Sequence, residues 1–456
     1  MYCTLSNQKQ FFGERSMCGI FGIFNLDKAA ELTVIGLHGN QHRAIDYAGI
    51  VSSDNTHFYR DGGSGIARQV FTKERIDGLH GKYALGHIRY PTVTDDKTRD
   101  NIQPIVGVYN GKPIAIAHNG NITNISELKS LVSDNLATSM DTEYILRLLE
   151  ARCTGNIETD LRHVLSLLKG SFALGILLPN LLVAVNDRTS NRPLSIGKLN
   201  GGYCISSEDC AFNSVGASKI HDIEAGTMVF IEPQKIHVKR FDKKDEKKCR
   251  FEGIYYSHPA STVFGEGVAR FRLKIGRKLE ELFPVPGADI VTPVPDASNF
   301  MAMGYGENGH SGKYFPIITR SHYVGRTFIA ANQAMRNIEV SQKFAFTTSE
   351  ISGKTIVVVD DSIVRCTTMP VIVSELKRLG AKEVHIRIGS PPTKHPCIYG
   401  INTPSYDELI AASLSHKDIC EKIGADSLEF LPLETIKTMS PKPENFCFAC
   451  MSGEYW

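Results

Sequence analysis

Residues 353–388 read GKTIVVVDDSIVRCTTMPVIVSELKRLGAKEVHIRI. Lys354–Val359 is a short β-branched, mostly apolar run held between Gly353 and Asp360, the pattern of a strand buried on both faces. Met369–Leu379 carries apolar residues at helical spacing and stops at Gly380, and Glu383–Ile388 returns to strand character. Strand, helix and strand in that order predict a parallel sheet with helices on its faces, to which Ala288–Val294 adds another strand. In open α/β sheets ligands bind beyond the carboxyl ends of the strands, where the turn into the next helix offers free N–H groups. Asp360 and Asp361 suit ribose hydroxyls or a Mg²⁺, and Ser362 with the loop Arg365, Cys366, Thr367 and Thr368 suits a 5′-phosphate. A capped strand-to-helix turn accounts for the same Asp and Thr residues.

Upstream the pattern differs. Short strands broken by Gly and Asn turns are predicted at Ala84–Tyr90, Pro113–His118, Phe172–Leu178 and Leu182–Asn186, with helices at Asp141–Glu150 and Ile157–Leu168. FDKKDEKKCR, from Phe241, is a charge run without apolar periodicity and reads as a solvated connection, dividing the chain near residue 245. The 456 residues allow roughly two to four domains. A net charge of +2 gives no electrostatic case for nucleic acid. No apolar run reaches the ~18–20 residues of a membrane span, and the first 17 residues lack the apolar region of a secretory signal. The expected compartment is the cytoplasm, where thiols stay reduced. The 11 cysteines, odd in number and irregularly spaced, then argue for catalysis or metal binding in a few cases and packing in the rest.

Cys18 opens the apolar stretch CGIFGI, where a cysteine is more often a small buried hydrophobe. Downstream stand GHIRYPT (Gly86–Thr92), HNGNITN (His118–Asn124) and MDTE (Met140–Glu143). Together these four segments resemble the N-terminal-nucleophile glutamine amidotransferase domain. The resemblance implies an αββα glutaminase domain in which Cys18 is the nucleophile and its own freed α-amine the base. It makes Asn119 and Gly120 the oxyanion hole, Arg89 and Thr92 contacts for the glutamine α-carboxylate end, and Asp141 the contact for its α-ammonium. Residues 1–17 must then be absent from the working enzyme, as a propeptide or because translation starts at Met17.

VVVDDSIVRCTT is similar to the phosphoribosyl-pyrophosphate motif of phosphoribosyltransferases. With FEGIYYSHPAS (Phe251–Ser261), VPDAS (Val294–Ser298), HYVGRTFI (His322–Ile329), GAKEVHIRIGSPP (Gly380–Pro392) and YGINTPSYDELIA (Tyr399–Ala411) it resembles the amidophosphoribosyltransferases from Cys18 onward. The implied architecture is a glutaminase domain over residues 18–245, an α/β parallel-sheet type I phosphoribosyltransferase domain over 246–436, and a tail over 437–456. The implied reaction joins glutamine and phosphoribosyl pyrophosphate at the head of purine synthesis, with nucleotide feedback and a homo-oligomer expected. Arg326 falls near the pyrophosphate, and Mg²⁺ falls to Asp360, Asp361 and Ser298. Two alternatives are an amidotransferase with a diverged sugar-phosphate acceptor and a silent nucleotide-binding paralogue. Five departures from the family stand out: Cys366 where it has glycine, Ala297 where it has Ser or Thr, Ser321-His322 where it has Asn-Arg, HRAI (His42–Ile45) where it has HRGQ, and SNRP (Ser190–Pro193) where it has Gly-Ile-Arg-Pro. A side chain at 366 takes up space or forces φ > 0.

Cys447-Phe448-Ala449-Cys450 alone leaves zinc, a redox pair or no function open. By resemblance, Cys249, Cys397, Cys447 and Cys450 ligate a structural [4Fe–4S] cluster, with zinc the minor alternative.

Overall fold

The computed structural model describes residues 17–89, 101–132, 136–233, 235–321, 343–403 and 405–456. Thr92, Arg326 and the expected loop around Tyr323 lie outside the described residues.

Two antiparallel sheets stack in the first half. One runs, edge to edge, Ser218–Asp222, Ser195–Leu199, Gly202–Ser206, Gly19–Phe24, Tyr83–Arg89, Tyr47–Ser53 and Phe58–Ser64. The other runs Lys235–Arg240, Thr227–Glu232, Leu181–Asn186, Gly170–Leu178, Lys112–Ile122 and Ile105–Tyr109. Ile20, Leu85, Ala117, Leu177 and Ile205 interlock between them. Helix Ala29–Gly39 covers the first sheet, and helices Asp141–Arg152 and Ile157–Leu167 cover the second. The layers are therefore αββα. Gly19–Phe24 is buried along its whole length because one face meets the second sheet and the other lies under Ala29–Gly39. That is why GIFGIF lacks the polar alternation of a half-exposed strand.

The second half carries a five-stranded sheet ordered Lys313–Tyr314, Ile290–Pro293, Thr355–Asp360, Glu383–Ile388 and Ser427–Phe430, with every pairing parallel. Thr355–Asp360 is central, and Pro293 pairs with Val359, so the carboxyl ends of two strands meet at one edge. Helices Val268–Leu282 and Asn299–Tyr305 cross in backbone contact: a Cβ at Gly276 would stand 1.9 Å from the Met301 carbonyl oxygen, and one at Gly304 2.2 Å from that of Leu273. The charge run from Phe241 crosses as extended coil, as expected. At its end Lys248–Cys249 pairs in parallel with Phe446–Cys447, returning the tail to the meeting place of the two halves. Among the described residues no helix is long and apolar enough to cross a membrane.

Candidate functional site

Cys18 immediately precedes the Gly19–Phe24 strand. Gly19 pairs with Ile88, which brings Arg89, at the end of the neighbouring strand, alongside Cys18. Arg89 is only 6% exposed; burial lowers its pKa, opposed by the charges of Cys18, Asp141 and Tyr47 around it. The strand expected to stop at His118 continues to Ile122, so Asn119 and Gly120 are strand residues opposite Ala173 and Phe172 rather than a turn. Gly120 has φ +152°, and a Cβ there would lie 2.0 Å from the Ser171 carbonyl oxygen. No other residue fits.

Asn119 is 1% exposed, and its side-chain Nδ2 has no hydrogen-bond acceptor among the described residues. A buried donor without a partner costs about 1–3 kcal/mol, and a ligand oxygen would relieve it. Asp141 opens helix Asp141–Arg152 and accepts from the Ile122 N–H at 2.9 Å, with His118 Nδ1 at 3.4 Å from its other oxygen. Burial pushes its carboxyl up, but His118 and the Ile122 and Thr142 N–H groups together hold it below the usual carboxylate range. Cys18 and Arg89 thus stand at the ends of two neighbouring strands of one sheet, Asn119 and Gly120 on a strand of the facing sheet, and Asp141 at a helix start.

At the carboxyl edge of the parallel sheet, the Asp361 N–H donates to Asp360 Oδ1 at 2.8 Å, and Ser362 Oγ donates to Asp361. Cys366 takes φ +57° and is 8% exposed, its side chain packed in the apolar cluster with Ile363, Met369 and Ile410. Burial pushes its thiol up to about 11. The backbone therefore keeps a glycine-like conformation while the side chain leaves the loop's outer face. Thr367 is exposed and Thr368 immediately precedes helix Met369–Arg378. Arg365 is held by Glu408, its Nε 2.7 Å from Oε2. Ser298 is fully buried and its hydroxyl donates to the Val294 carbonyl.

Three segments bring the four cysteines together. Cys249 pairs opposite Cys447, Cys450 accepts the Lys394 and His395 N–H groups on its carbonyl at 3.0 Å, and the Cys397 thiol accepts the Tyr399 N–H at 3.3 Å. Burial first, then Glu252, Cys447 and Cys397, pushes the Cys249 thiol up to about 12 against the pull of Arg192. Four soft donors converging where a lone thiolate is disfavoured fit a positively charged metal centre. No three of them lie within 4.8 Å of one another.

Sequence reasoning missed a buried ionic network. Arg43, Glu208, Glu252 and Arg192 have fully buried side chains. Arg43 donates to Glu208 and, through both terminal nitrogens at 3.1 and 2.9 Å, to the two oxygens of Glu252. Glu208 also accepts from the His258 N–H and Ser261 Oγ. His42, Glu208 and Cys210 offer ligand atoms within 4.8 Å of one another, but Glu208 is already the counter-ion of Arg43. The only signal in the sequence was the charged residue inside HRAI and SNRP.

The glutamine amidotransferase domain family matches residues 87–214. An amidophosphoribosyltransferase of Bacillus subtilis is 37% identical over 97% of this chain and 94% of its own. A chloroplastic amidophosphoribosyltransferase of Vigna aconitifolia is 38% identical over 97% and 91%. The solved glutamine phosphoribosylpyrophosphate amidotransferase from B. subtilis, complexed with ADP and GMP, superposes with a TM-score of 0.89 at 37% identity, covering 96% of this chain and 97% of that one. At that identity and over nearly the whole of both chains, the chain belongs to the amidophosphoribosyltransferase family.

Proposed function

We propose that the chain converts glutamine, phosphoribosyl pyrophosphate and water to phosphoribosylamine, glutamate and pyrophosphate, the first step of purine synthesis. Residues 18–245 release ammonia and residues 246–436 consume it. The Cys18 thiolate attacks the glutamine side-chain amide, with the free α-amine of Cys18 as base once residues 1–17 are gone. The oxyanion takes the orphaned Asn119 Nδ2 donor and the Gly120 N–H. Arg89 clamps the substrate α-carboxylate and Asp141 its α-ammonium, and Thr92 is a further proposed glutamine contact. Water then releases glutamate from the thioester. Ammonia attacks the ribose C1 as pyrophosphate departs. Asp360 and Asp361 hold the ribose hydroxyls, while the backbone and hydroxyls of Ser362, Cys366, Thr367 and Thr368 hold the 5′-phosphate, with Arg365 kept in place by Glu408. Arg326 meets the pyrophosphate. Mg²⁺, held by Asp360 and Asp361, supplies charge neutralisation of that leaving group when bound.

The single observation that carries the reading is the buried, unpartnered Asn119 donor beside Cys18, Arg89 and Asp141. Cys249, Cys397, Cys447 and Cys450 would hold a structural [4Fe–4S] cluster tying the tail to the domain junction. Zinc is the minor alternative for the same four thiolates. None of the ten described cysteines forms a disulfide, and the proposed compartment is the cytoplasm, where the four ligand thiols stay reduced. Purine nucleotides are the proposed feedback ligands, since the B. subtilis relative was solved with ADP and GMP, and the working form is a homo-oligomer.

The test uses anaerobically purified protein beginning at Cys18, with glutamate and pyrophosphate measured with and without phosphoribosyl pyrophosphate and Mg²⁺. Coupled release is expected. Glutamate without pyrophosphate would overturn the acceptor, and neither product would overturn the reaction. Cys18→Ala should abolish glutamine-dependent turnover and spare turnover with free ammonia. Iron and acid-labile sulfide should be present in the purified protein and lost in Cys450→Ser.

A further inference from the structure

Arg43 grips the start of the nucleophile strand: its Nε donates to the Cys18 carbonyl oxygen at 3.0 Å. A guanidinium on a flexible stem holds a carbonyl in place only if its remaining N–H groups are themselves fixed. Glu208 fixes one edge. Glu252 fixes the other through a two-point clasp at 3.1 and 2.9 Å.

Glu252 belongs to the other half of the molecule. It opens the five-residue helical turn Glu252–Tyr256, the first turn after the charge run. Ser257 Oγ donates to its Oε2 at 3.1 Å. Arg272, from helix Val268–Leu282, locks that turn by donating to the carbonyls of Gly253, Tyr255 and Ser257 at 3.0, 2.8 and 2.8 Å. Arg272 in turn senses the charge of Asp361 in the acceptor loop.

A buried ion cluster is a poor way to stabilise a fold, because desolvation consumes most of the attraction and apolar residues of similar volume do as well. It does fix orientation. We propose that Glu252 is a positioning residue for the glutamine half-reaction: acting through Arg43, the acceptor half of the chain holds Cys18 in line for attack. The glutaminase centre is then incomplete without the domain that uses its ammonia. This rests on Cys18 being the nucleophile. Displacing a reacting group by about 1 Å lowers a rate on the order of 100-fold, so the loss falls on kcat rather than on glutamine binding, which Arg89 and Asp141 provide.

The experiment is a double-variant cycle on the mature full-length enzyme: Arg43→Lys, Glu252→Gln and both together. Glutamate release with glutamine and pyrophosphate release with ammonium chloride are measured for each. Expected for Glu252→Gln are a kcat with glutamine at least about 10-fold lower, a KM for glutamine within about threefold, and ammonia-dependent turnover within about twofold of the parent. The double variant should be no more than about threefold worse than the worse single one, since both act on one contact. Additive losses would overturn the inference, as would unchanged glutamine turnover in Glu252→Gln. Loss of both activities together would also overturn it, because Glu252 would then serve the fold alone. The parent enzyme separates this from the underlying reading: no glutamate release there would sink the reaction itself.

Discussion

At the scale of single residues the two halves ask opposite things of their side chains. Asn119 is held ready with a donor that no described residue accepts. Asn119→Ala should therefore lower glutamine-dependent kcat about 10²–10³-fold, the range for losing one oxyanion donor, and leave ammonia-dependent pyrophosphate release unchanged. An equal fall in both would show that the residue serves the fold instead. Cys366 has the opposite character: its thiol is packed away and only its backbone faces the loop. Cys366→Gly should keep the KM for phosphoribosyl pyrophosphate within about threefold of the parent. Glycine gains conformational ease at φ +57° and loses a small buried side chain, two effects each of about 1 kcal/mol. A tenfold change in KM would mean that the thiol reaches the substrate. The sequence made Cys366 conspicuous but not its direction, because burial of a side chain depends on Ile410, 44 positions away.

At the scale of elements, local chemistry was legible where one strand or helix decides its own fate. KTIVVV, the helix after it and Glu383–Ile388 formed where their apolar spacing placed them, within a residue or two. The Asn119-Gly120 pair was not legible, since Asn-Gly favours a turn and only pairing with Ala173 and Phe172 keeps it extended. The Arg43–Glu252 contact was beyond reach for a related reason: whether a charge is buried is settled by four distant segments converging. The turn after Cys397 shows how elements of the two halves meet. The Ile398 carbonyl accepts from Asn121 Nδ2 at 2.9 Å, and the Tyr399 carbonyl accepts from Ser171 Oγ at 2.7 Å and from Arg192. Gly400, at φ +103°, lies against the oxyanion strand, where a Cβ would stand 2.7–2.9 Å from the Gly120 backbone. Gly400→Ala should displace that strand and lower glutamine-dependent kcat about 10-fold or more, with ammonia-dependent turnover falling by less than about threefold. Equal rates in parent and variant would show that the contact yields without consequence.

At the scale of the whole molecule, acid stability follows from a buried ring. His87 is fully buried, and burial, outweighing a hydrogen bond between Nε2 and the His118 carbonyl, lowers its pKa to about 3. The unfolded chain binds a proton near pH 6.5 while the fold refuses it, so stability is complete above 6.5 and declines as the pH falls toward 3. The slope is about 1.4 kcal/mol per pH unit. Urea unfolding at pH 7.5 and 5.5 should show the parent losing roughly 1.4 kcal/mol more than His87→Gln; equal losses would assign the acid sensitivity elsewhere. Whole-molecule packing also dates an event in the life of the chain. Met17 is 1% exposed and lies in the core cluster with Phe251, Ile254 and Phe446, its sulfur 3.4 Å from Arg192. If a peptidase frees the Cys18 amine that the proposed chemistry needs, it has to act before the two halves close over Met17, which would make that release a step in synthesis and folding rather than a later switch.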